Sequence, residues 1–237
     1  MKMLKGKLIN LAVMALVLSI FCAVSIGSAE ESFDADSFMT AVNGTYGELF
    51  AVITQPEYDG IWTEKCVQYA GEDAAQAAKD YLTTVCCGTL YGEEAEKAYG
   101  GSFENAQFFC GFTGGVAKLT FDNGTISGVD AEGNELFSHK YAYVGDTEQM
   151  GFHLYKTEDA DAGEFTYFAM AGDTPESTYH LEFRYGDDPE ALDNYVAGKY
   201  AYWMAAGFSA DYDDALVDQV IDLFCSENLA EEDGAQE

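Results

Sequence analysis

Basic residues are scarce in this sequence, which has 11 Lys and Arg against 42 Asp and Glu and a formal net charge of −31. A surface this acidic repels nucleic acid and anionic lipid, and it attracts cations. Nucleic-acid binding is therefore the first function class that the composition excludes. The same acidity is typical of a protein that only has to stay dissolved in a salty exterior, so the charge alone assigns no ligand.

Histidine is also scarce, and the short motifs of common catalytic chemistries are missing. The three histidines are His139, His153 and His180. There is no Gly-x-Ser-x-Gly nucleophile elbow, no His-Glu-x-x-His helix, no phosphate-binding glycine loop before a helix and no complete calcium loop. We therefore expect a binding protein and not an enzyme.

Long apolar runs are missing after the first part of the chain. Lys2, Lys5 and Lys7 precede an apolar run over 11–24, and small residues follow at 27–29. This layout is typical of a secretory signal peptide, and the run is shorter than the ~20 residues of a membrane-spanning helix. We expect residues 1–29 to be removed, leaving a chain without a membrane span that is secreted or lies in the periplasm or cell envelope.

Short segments with strand patterns, separated by turn residues, dominate the middle of the chain. We predict six strands, over 116–121, 125–129, 136–143, 151–156, 164–170 and 178–185. Asn123-Gly124 supplies the positive φ that a two-residue hairpin needs. Six successive strands favour an antiparallel meander, either a barrel or a sandwich, and a barrel is preferred because it has no exposed edge.

Helical patterns flank the strands, so the fold class is mostly β with helices on either side. We predict helices over 32–42, 73–85, 93–99, 188–196 and 214–228, and a turn at Asp59-Gly60. No linker or internal repeat divides the chain. We expect an N-terminal segment over 30–57, one β-barrel domain with C-terminal helices over 58–229 and an acidic tail over 230–237.

Five cysteines follow the signal peptide, namely Cys66, Cys86, Cys87, Cys110 and Cys225. An exported protein can form disulfides, but an odd number leaves at least one thiol unpaired. We expect small buried side chains with one or two bridges, and the sequence leaves the pairing open.

One strand carries a pattern that suits a metal ion. Strict alternation over 179–185 places His180, Glu182 and Arg184 on one face of the sheet. An imidazole and a carboxylate two residues apart can meet at one cation, and zinc accepts such nitrogen and oxygen ligands. The alternative is a solvated strand face with a Glu182–Arg184 ion pair and an ordinary surface histidine.

The order of these features resembles the ZinT family, also called YodA. The segments that carry the likeness are 58–62 (YDGIW), similar to a Trp-Asp-Gly-x-Trp start; the hairpin at 122–124; 140–145 (KYAYVG), similar to a Lys-Tyr-x-Tyr-x-Gly strand; 168–186, which keeps the family's spacing around Pro175 and Gly186; and the aromatic stretch 199–203. The likeness runs from Tyr58 to the C-terminus. It implies a calycin or lipocalin-like antiparallel β-barrel that binds zinc or a related ion outside the cytoplasmic membrane, and buffers it or delivers it to an ABC-type uptake system.

The resemblance also implies a ligand set. The family's metal is held by three histidines, and in this sequence the second falls on His180, the third on Glu182 and the first on Ala171. Asp173, in the same predicted loop as Ala171, is the replacement we expect. One imidazole and two carboxylates form a harder ligand set than three imidazoles do. Zinc is the ion that we expect first, and manganese and calcium are further candidates.

Two other functions stay open at this point. The chain could be a lipocalin-like binder of a small organic ligand, with Tyr and Phe lining a cavity and a degenerate metal site. It could also be a surface interaction module that uses the aromatic patch over 200–203.

Overall fold

Eight antiparallel strands close into one barrel within residues 33–229, the part of the chain that this computed structural model describes. The strands are β1 (Gly44–Glu48), β2 (Lys118–Asp122), β3 (Thr125–Val129), β4 (Glu135–Asp146), β5 (His153–Thr157), β6 (Tyr167–Met170), β7 (His180–Gly186) and β8 (Ala205–Ser209). Each strand pairs with the next one along the chain, and β1 pairs with β8, with Tyr46 opposite Ser209. The predicted antiparallel barrel is confirmed. The signal peptide and the acidic tail lie outside the described residues.

The six predicted strands correspond to β2–β7, whereas β1 and β8 were not predicted. Strand β8 is buried on both faces because one face lies inside the barrel and the other lies under helices. Its small residues, such as Ala205 and Ala206, therefore show no alternation of apolar and polar side chains. Strand β1 comes from the segment before Tyr58, so the barrel uses residues upstream of that position.

Helices cover the outside of the barrel. They are α1 (Ala35–Ala41), α2 (Leu49–Ile53), α3 (Asp59–Ala70), α4 (Ala75–Val85), α5 (Glu93–Tyr99), α6 (Pro175–Thr178), α7 (Pro189–Leu192) and α8 (Asp214–Leu229). The turn predicted at Asp59-Gly60 is wrong, because these residues begin α3. Burial of Trp62, whose indole Nε1 donates to the Ile53 carbonyl at 2.7 Å, outweighs the local turn preference. The helix predicted over 188–196 is shorter and ends at Leu192.

Aromatic side chains fill the barrel interior. The rings of Phe121, Phe168 and Phe183 pack with centroids 6.0–6.3 Å apart, and Tyr185 stacks on Phe168 at 5.1 Å. Phe183 and Tyr185 alternate along β7 with Glu182 and Arg184. The polar side chains of β7 consequently point out of the barrel, toward the helices.

No helix among residues 33–229 combines the length and the apolar character that crossing a bilayer requires.

Candidate metal centre

A cavity of about 220 Å³ lies between the outer face of strands β7 and β8 and helices α2 and α8. Helix α2 contributes Leu49, Phe50 and Ile53 to its walls, and α8 contributes Val220, Leu223 and Phe224. Four ionisable side chains also line it, namely Asp173, His180, Glu182 and Glu227. The cavity is therefore mostly apolar, with a few convergent polar groups, as small-ligand sites usually are.

A tight connection brings Asp173 and His180 to the same cavity. Thr174 and Ser177 form a capping box that starts the four-residue helix α6 directly after Asp173. The helix ends at Thr178, and the next residue, Tyr179, has a φ of 60° in the left-handed region that bulky residues seldom adopt. The chain then enters β7 at His180. The local strain at Tyr179 reverses the chain so that residues on both sides of α6 face the cavity.

His180 presents one ring nitrogen to Glu182 and the other to the backbone. Its Nδ1 lies 2.7 Å from the carbonyl oxygen of Thr178, which only accepts, so Nδ1 donates. In the neutral ring, Nε2 then carries the lone pair, and it lies 3.7 Å from Oε1 of Glu182. A backbone carbonyl that fixes the ring in this way is the usual partner of a metal-binding imidazole.

The pKa of His180 reflects both burial and charge. Burial alone lowers the pKa, but the hydrogen bond and charge of Glu182, together with the Thr178 carbonyl, outweigh burial and leave the pKa above its ordinary value. The imidazole thus lies in a strongly negative field, which would favour any cation placed beside it.

Glu182 has a buried carboxylate oxygen, Oε2, without a hydrogen-bond partner among the described residues. An unpaired buried carboxylate oxygen costs free energy, and such atoms are rare in folded proteins. A cation or a proton that binds this oxygen would remove that free-energy cost.

Asp173 and Glu227 bring two more carboxylates to the cavity. Burial and the negative charge of Glu182 raise the pKa of Asp173, and the charge of His180 opposes them. The pKa of Glu227 is also raised, by burial and by the charges of Glu182 and Asp173, again against His180. The Glu227 side chain remains exposed at the cavity mouth, so its burial is partial. Three carboxylates thus influence one another around a single imidazole.

Glu227 is the functional candidate that the sequence analysis missed. It lies on α8, far along the chain from β7. The sequence contains a helical pattern that places Glu227 on the covered side of α8. Val220, Leu223 and Phe224, on the apolar side of the helix, precede Glu227 by seven, four and three residues. A carboxylate at the end of such a stripe points toward the structure that the helix covers.

Arg184 does not pair with Glu182. The guanidinium is fully buried, and burial lowers its pKa to about 10. It donates to the carbonyls of Leu192 and Tyr200 and, at 3.2 Å, to that of Asn194. The solvated strand face with a Glu182–Arg184 pair is therefore wrong, because helices and the loop after β7 cover this face.

The remaining histidines lie away from the cavity lining. His139 Nδ1 is 2.9 Å from an Asp159 oxygen, and His153 Nδ1 is 2.8 Å from an Asp146 oxygen. Both are on predicted strands, as expected, and each has its own carboxylate partner.

Two cysteines line the same cavity as His180. A hydrogen bond with Cys86, followed by burial, raises the pKa of the Cys110 thiol well above its ordinary value. In the metal-free protein Cys110 therefore stays protonated at neutral pH.

The four candidate ligands share one cavity without surrounding one point. Among residues 33–229, no three His, Cys, Asp or Glu side chains are placed to hold an ion as they stand. The side chains of His180 and Glu182 are in contact. Asp173 and Glu227 interact with them through their charges. Coordination by all four groups would require the side chains of Asp173 and Glu227 to turn inward.

The structure bears differently on the two alternative functions. The cavity volume of about 220 Å³ is below the ~300–1,000 Å³ of sites for drug-sized ligands, and aromatic rings fill the barrel interior, so an organic ligand would have to be small and would lie outside the barrel interior. Tyr200, Tyr202 and Trp203 are 6%, 0% and 0% exposed. The aromatic patch is therefore part of the core, so the prediction of a surface module built on it is wrong.

Comparison with known proteins identifies the fold. No family model matches the sequence, and no curated protein matches it. Among solved structures, the chain is similar to the zinc-bound ZinT-like domain of AdcA from Streptococcus pneumoniae, with 16% identity, a TM-score of 0.50, and coverage of 84% of this chain and 96% of that domain. It is also similar to zinc-bound full AdcA, at 15% identity and a TM-score of 0.45, covering 84% of this chain and 40% of AdcA. The likeness to the domain confirms a ZinT-like fold, as the sequence motifs indicated.

Proposed function

We propose that this protein binds one divalent metal ion of the zinc type in the cavity between β7, β8 and α8. The ligands are Nε2 of His180 and the carboxylates of Glu182, Asp173 and Glu227. The observation that carries the proposal is the buried, unpartnered Oε2 of Glu182, which lies in a cavity shared with two further carboxylates. A divalent cation would satisfy this oxygen and offset the repulsion among the three acids.

The donor set suits the proposed ion. Zinc takes imidazole nitrogen and carboxylate oxygen, usually four ligands in all, and manganese accepts the same donors. The solved domain that shares this fold is zinc-bound, which supports zinc as the first candidate. Ala171, at the position that the family resemblance assigns to the first histidine, has no donor atom, and Glu182 stands at the position of the third. Asp173 and Glu227 would complete the set.

We further propose that the protein is exported and either buffers the ion or passes it to an ABC-type uptake system. The residues that support export are the basic start and apolar run of the first 29 positions. The formal charge of −31 supports the role of a cation carrier, because an acidic surface raises the local concentration of cations near the cavity mouth. Binding without turnover is sufficient for this role.

Isothermal titration of the chelator-treated protein with zinc, manganese and calcium tests the proposal. We expect one zinc ion per chain. His180→Ala and Glu182→Gln should each weaken zinc binding by at least about 100-fold. Calcium should bind weakly, because one imidazole in the set is a poor calcium ligand.

Two matched variants serve as controls. His139→Ala also removes a strand imidazole beside a carboxylate, but outside the cavity, and Glu64→Gln neutralises an exposed carboxylate on α3. Both should bind zinc as the parent protein does. Unchanged affinity in His180→Ala, or an equal loss in His139→Ala, would contradict the proposed site.

A further inference from the structure

Helices α3 and α8 are held against each other by a set of polar and aromatic contacts. Lys65 Nζ lies 3.2 Å from an Asp218 oxygen and 3.3 Å from an Asp222 oxygen, and Tyr69 donates to Asp222 at 3.1 Å. Trp62 packs edge-on against Phe224, with centroids 6.0 Å apart. These contacts fix how the two helices are positioned along one another.

Two thiols meet inside this helix pair. The sulfur atoms of Cys66 on α3 and Cys225 on α8 are 4.0 Å apart, and both side chains are fully buried. Closing that distance to the ~2.05 Å of a disulfide requires the sulfur atoms to approach by about 2 Å. The two residues are 159 positions apart in sequence, so a bond would close a very long loop.

We propose that Cys66 and Cys225 form a structural disulfide when the chain folds in an oxidising environment. Cys86 and Cys110 also contact each other but line the cavity, and Cys87 is exposed, so the pair between α3 and α8 is the one that would join two helices. One such bridge leaves three of the five cysteines after position 29 as thiols.

The oxidant is a small or protein disulfide, such as oxidised glutathione. The thiolate of one cysteine attacks the donor disulfide, forms a mixed disulfide and releases one donor thiolate. The thiolate of the second cysteine then attacks the protein sulfur of that mixed disulfide and releases the other donor thiolate. Two protein thiols are oxidised to one disulfide, and one donor disulfide is reduced to two thiols. Because both sulfurs are buried in the folded protein, the exchange takes place during folding.

The disulfide would also restrain α8, the helix that forms one wall of the cavity. Cys225 directly follows Phe224 and precedes Glu227 by two residues, and both of these line the cavity. A cross-link to α3 therefore restrains the helix that presents Glu227. This consequence rests on the proposed function, whereas the disulfide itself does not.

Peptide mapping tests the bond directly. The full chain is unfolded with a reductant, refolded with reduced and oxidised glutathione, alkylated and digested with trypsin. The sequence gives each cysteine region a separate peptide: 8–65 holds Cys22, 66–79 holds Cys66, 80–97 holds Cys86 and Cys87, 98–118 holds Cys110 and 200–237 holds Cys225. We expect peptide 66–79 joined to 200–237. Alkylated Cys66 and Cys225 in the folded protein, or bridges only among the other peptides, would overturn the proposal.

Thermal unfolding gives a second readout that needs no variant in the core. The Tm of protein refolded with glutathione should exceed that of protein refolded and kept in reductant by about 10 °C, because the closed loop is long. Cys87→Ser is the matched control, since it removes an exposed thiol, and it should keep both the joined peptide and the Tm difference. An equal Tm in the two redox forms contradicts a structural bond.

Zinc titration of the two redox forms separates the disulfide from the metal site. The oxidised form should bind zinc several-fold more tightly than the reduced form. If the joined peptide is found but neither form binds zinc, the proposed function fails and the disulfide stands. If zinc binds but the peptides are not joined, the disulfide proposal fails and the proposed function stands.

Discussion

Asp173 lies half-buried beside two other acids, so the carboxylate that we propose as a metal ligand also costs stability. Burial and the charge of Glu182 raise its pKa, which means that the folded protein holds the ionised form less readily than the unfolded chain does. At neutral pH the ionised group therefore destabilises the metal-free fold. A bound cation reverses this effect, because it favours the charged form.

Asp173→Asn should separate these two contributions. We expect the Tm of the metal-free protein to rise by about 2 °C and zinc affinity to fall at least about tenfold, because the amide removes both the repulsion and a ligand charge. Thermal scans in chelator and zinc titrations measure the two effects. Asp161→Asn, at an exposed position, is the control and should change neither; a lower Tm for Asp173→Asn would contradict the account.

Arg184 contributes to the fold and not to the metal site. Its guanidinium is buried without an ion pair to Glu182 and holds the backbone of the segment after β7 through several carbonyl groups. Burying this charge is costly, and the hydrogen bonds to the carbonyls offset the cost.

Arg184→Met should destabilise the protein by roughly 3 kcal/mol, because it leaves buried carbonyl oxygens without donors. The segment over 187–204 should also loosen, and its exposed Lys199 should be cleaved faster by trypsin. Denaturant unfolding and limited proteolysis provide the measurements. Wild-type stability together with unchanged cleavage at Lys199 would show that Arg184 does not hold this segment.

At the level of elements, the turn between β3 and β4 depends on one carboxylate. Asp130 accepts hydrogen bonds from the Glu132 amide at 3.0 Å and from the amide and side chain of Asn134 at 2.8 Å each. These bonds lower the pKa of Asp130. A lowered carboxyl pKa stabilises the fold above its unfolded-state pKa, and this stabilisation is lost as pH falls through the folded-state pKa.

Asp130→Ala should therefore lower the Tm by a few degrees at pH 7, and the difference from the parent should shrink as the pH falls below about 4. Thermal scans between neutral pH and a pH below 4 measure the Tm difference. Asp161→Asn again serves as an exposed control. A difference that stays constant with pH would mean that the ionised form of Asp130 is not what stabilises the turn.

The sequence predicted elements whose pattern is local and missed those whose pattern depends on distant packing. His180 and Glu182 were found because alternation along one strand is a local property. Glu227 was missed because the apolar stripe before it on α8 shows that the helix is covered on one side but not which strands it faces. Strand β8 was missed because burial on both faces removes the alternation, and Asp59-Gly60 became helix because Trp62 had to be buried.

For the whole molecule, the dominant property is the excess of acidic groups. A formal charge of −31 on 237 residues makes the folded chain repel itself, since folding brings the carboxylates closer together. Simple salt screens this repulsion over distances near the Debye length.

The metal-free protein should therefore become more stable as sodium chloride is raised from 20 to 500 mM, with a Tm increase of about 5 °C. Zinc association should weaken over the same range, because the acidic surface attracts the cation less strongly. Sucrose at matched osmolality is a control for general solvent effects on stability. A Tm that falls with salt would show that ion pairs outweigh repulsion in this fold.

The pairing of β1 with β8 also sets the order in which the molecule can assemble. Residues 44–48 find their partner only when residues 205–209 are available, and α8 comes later still. Such a distant contact forms slowly, so a growing chain keeps its barrel open until nearly all of it has been synthesised. Glu227 is synthesised after both of these strands. If the protein binds a metal ion as proposed, its ligand set is therefore complete only once the strand that closes the barrel has been made.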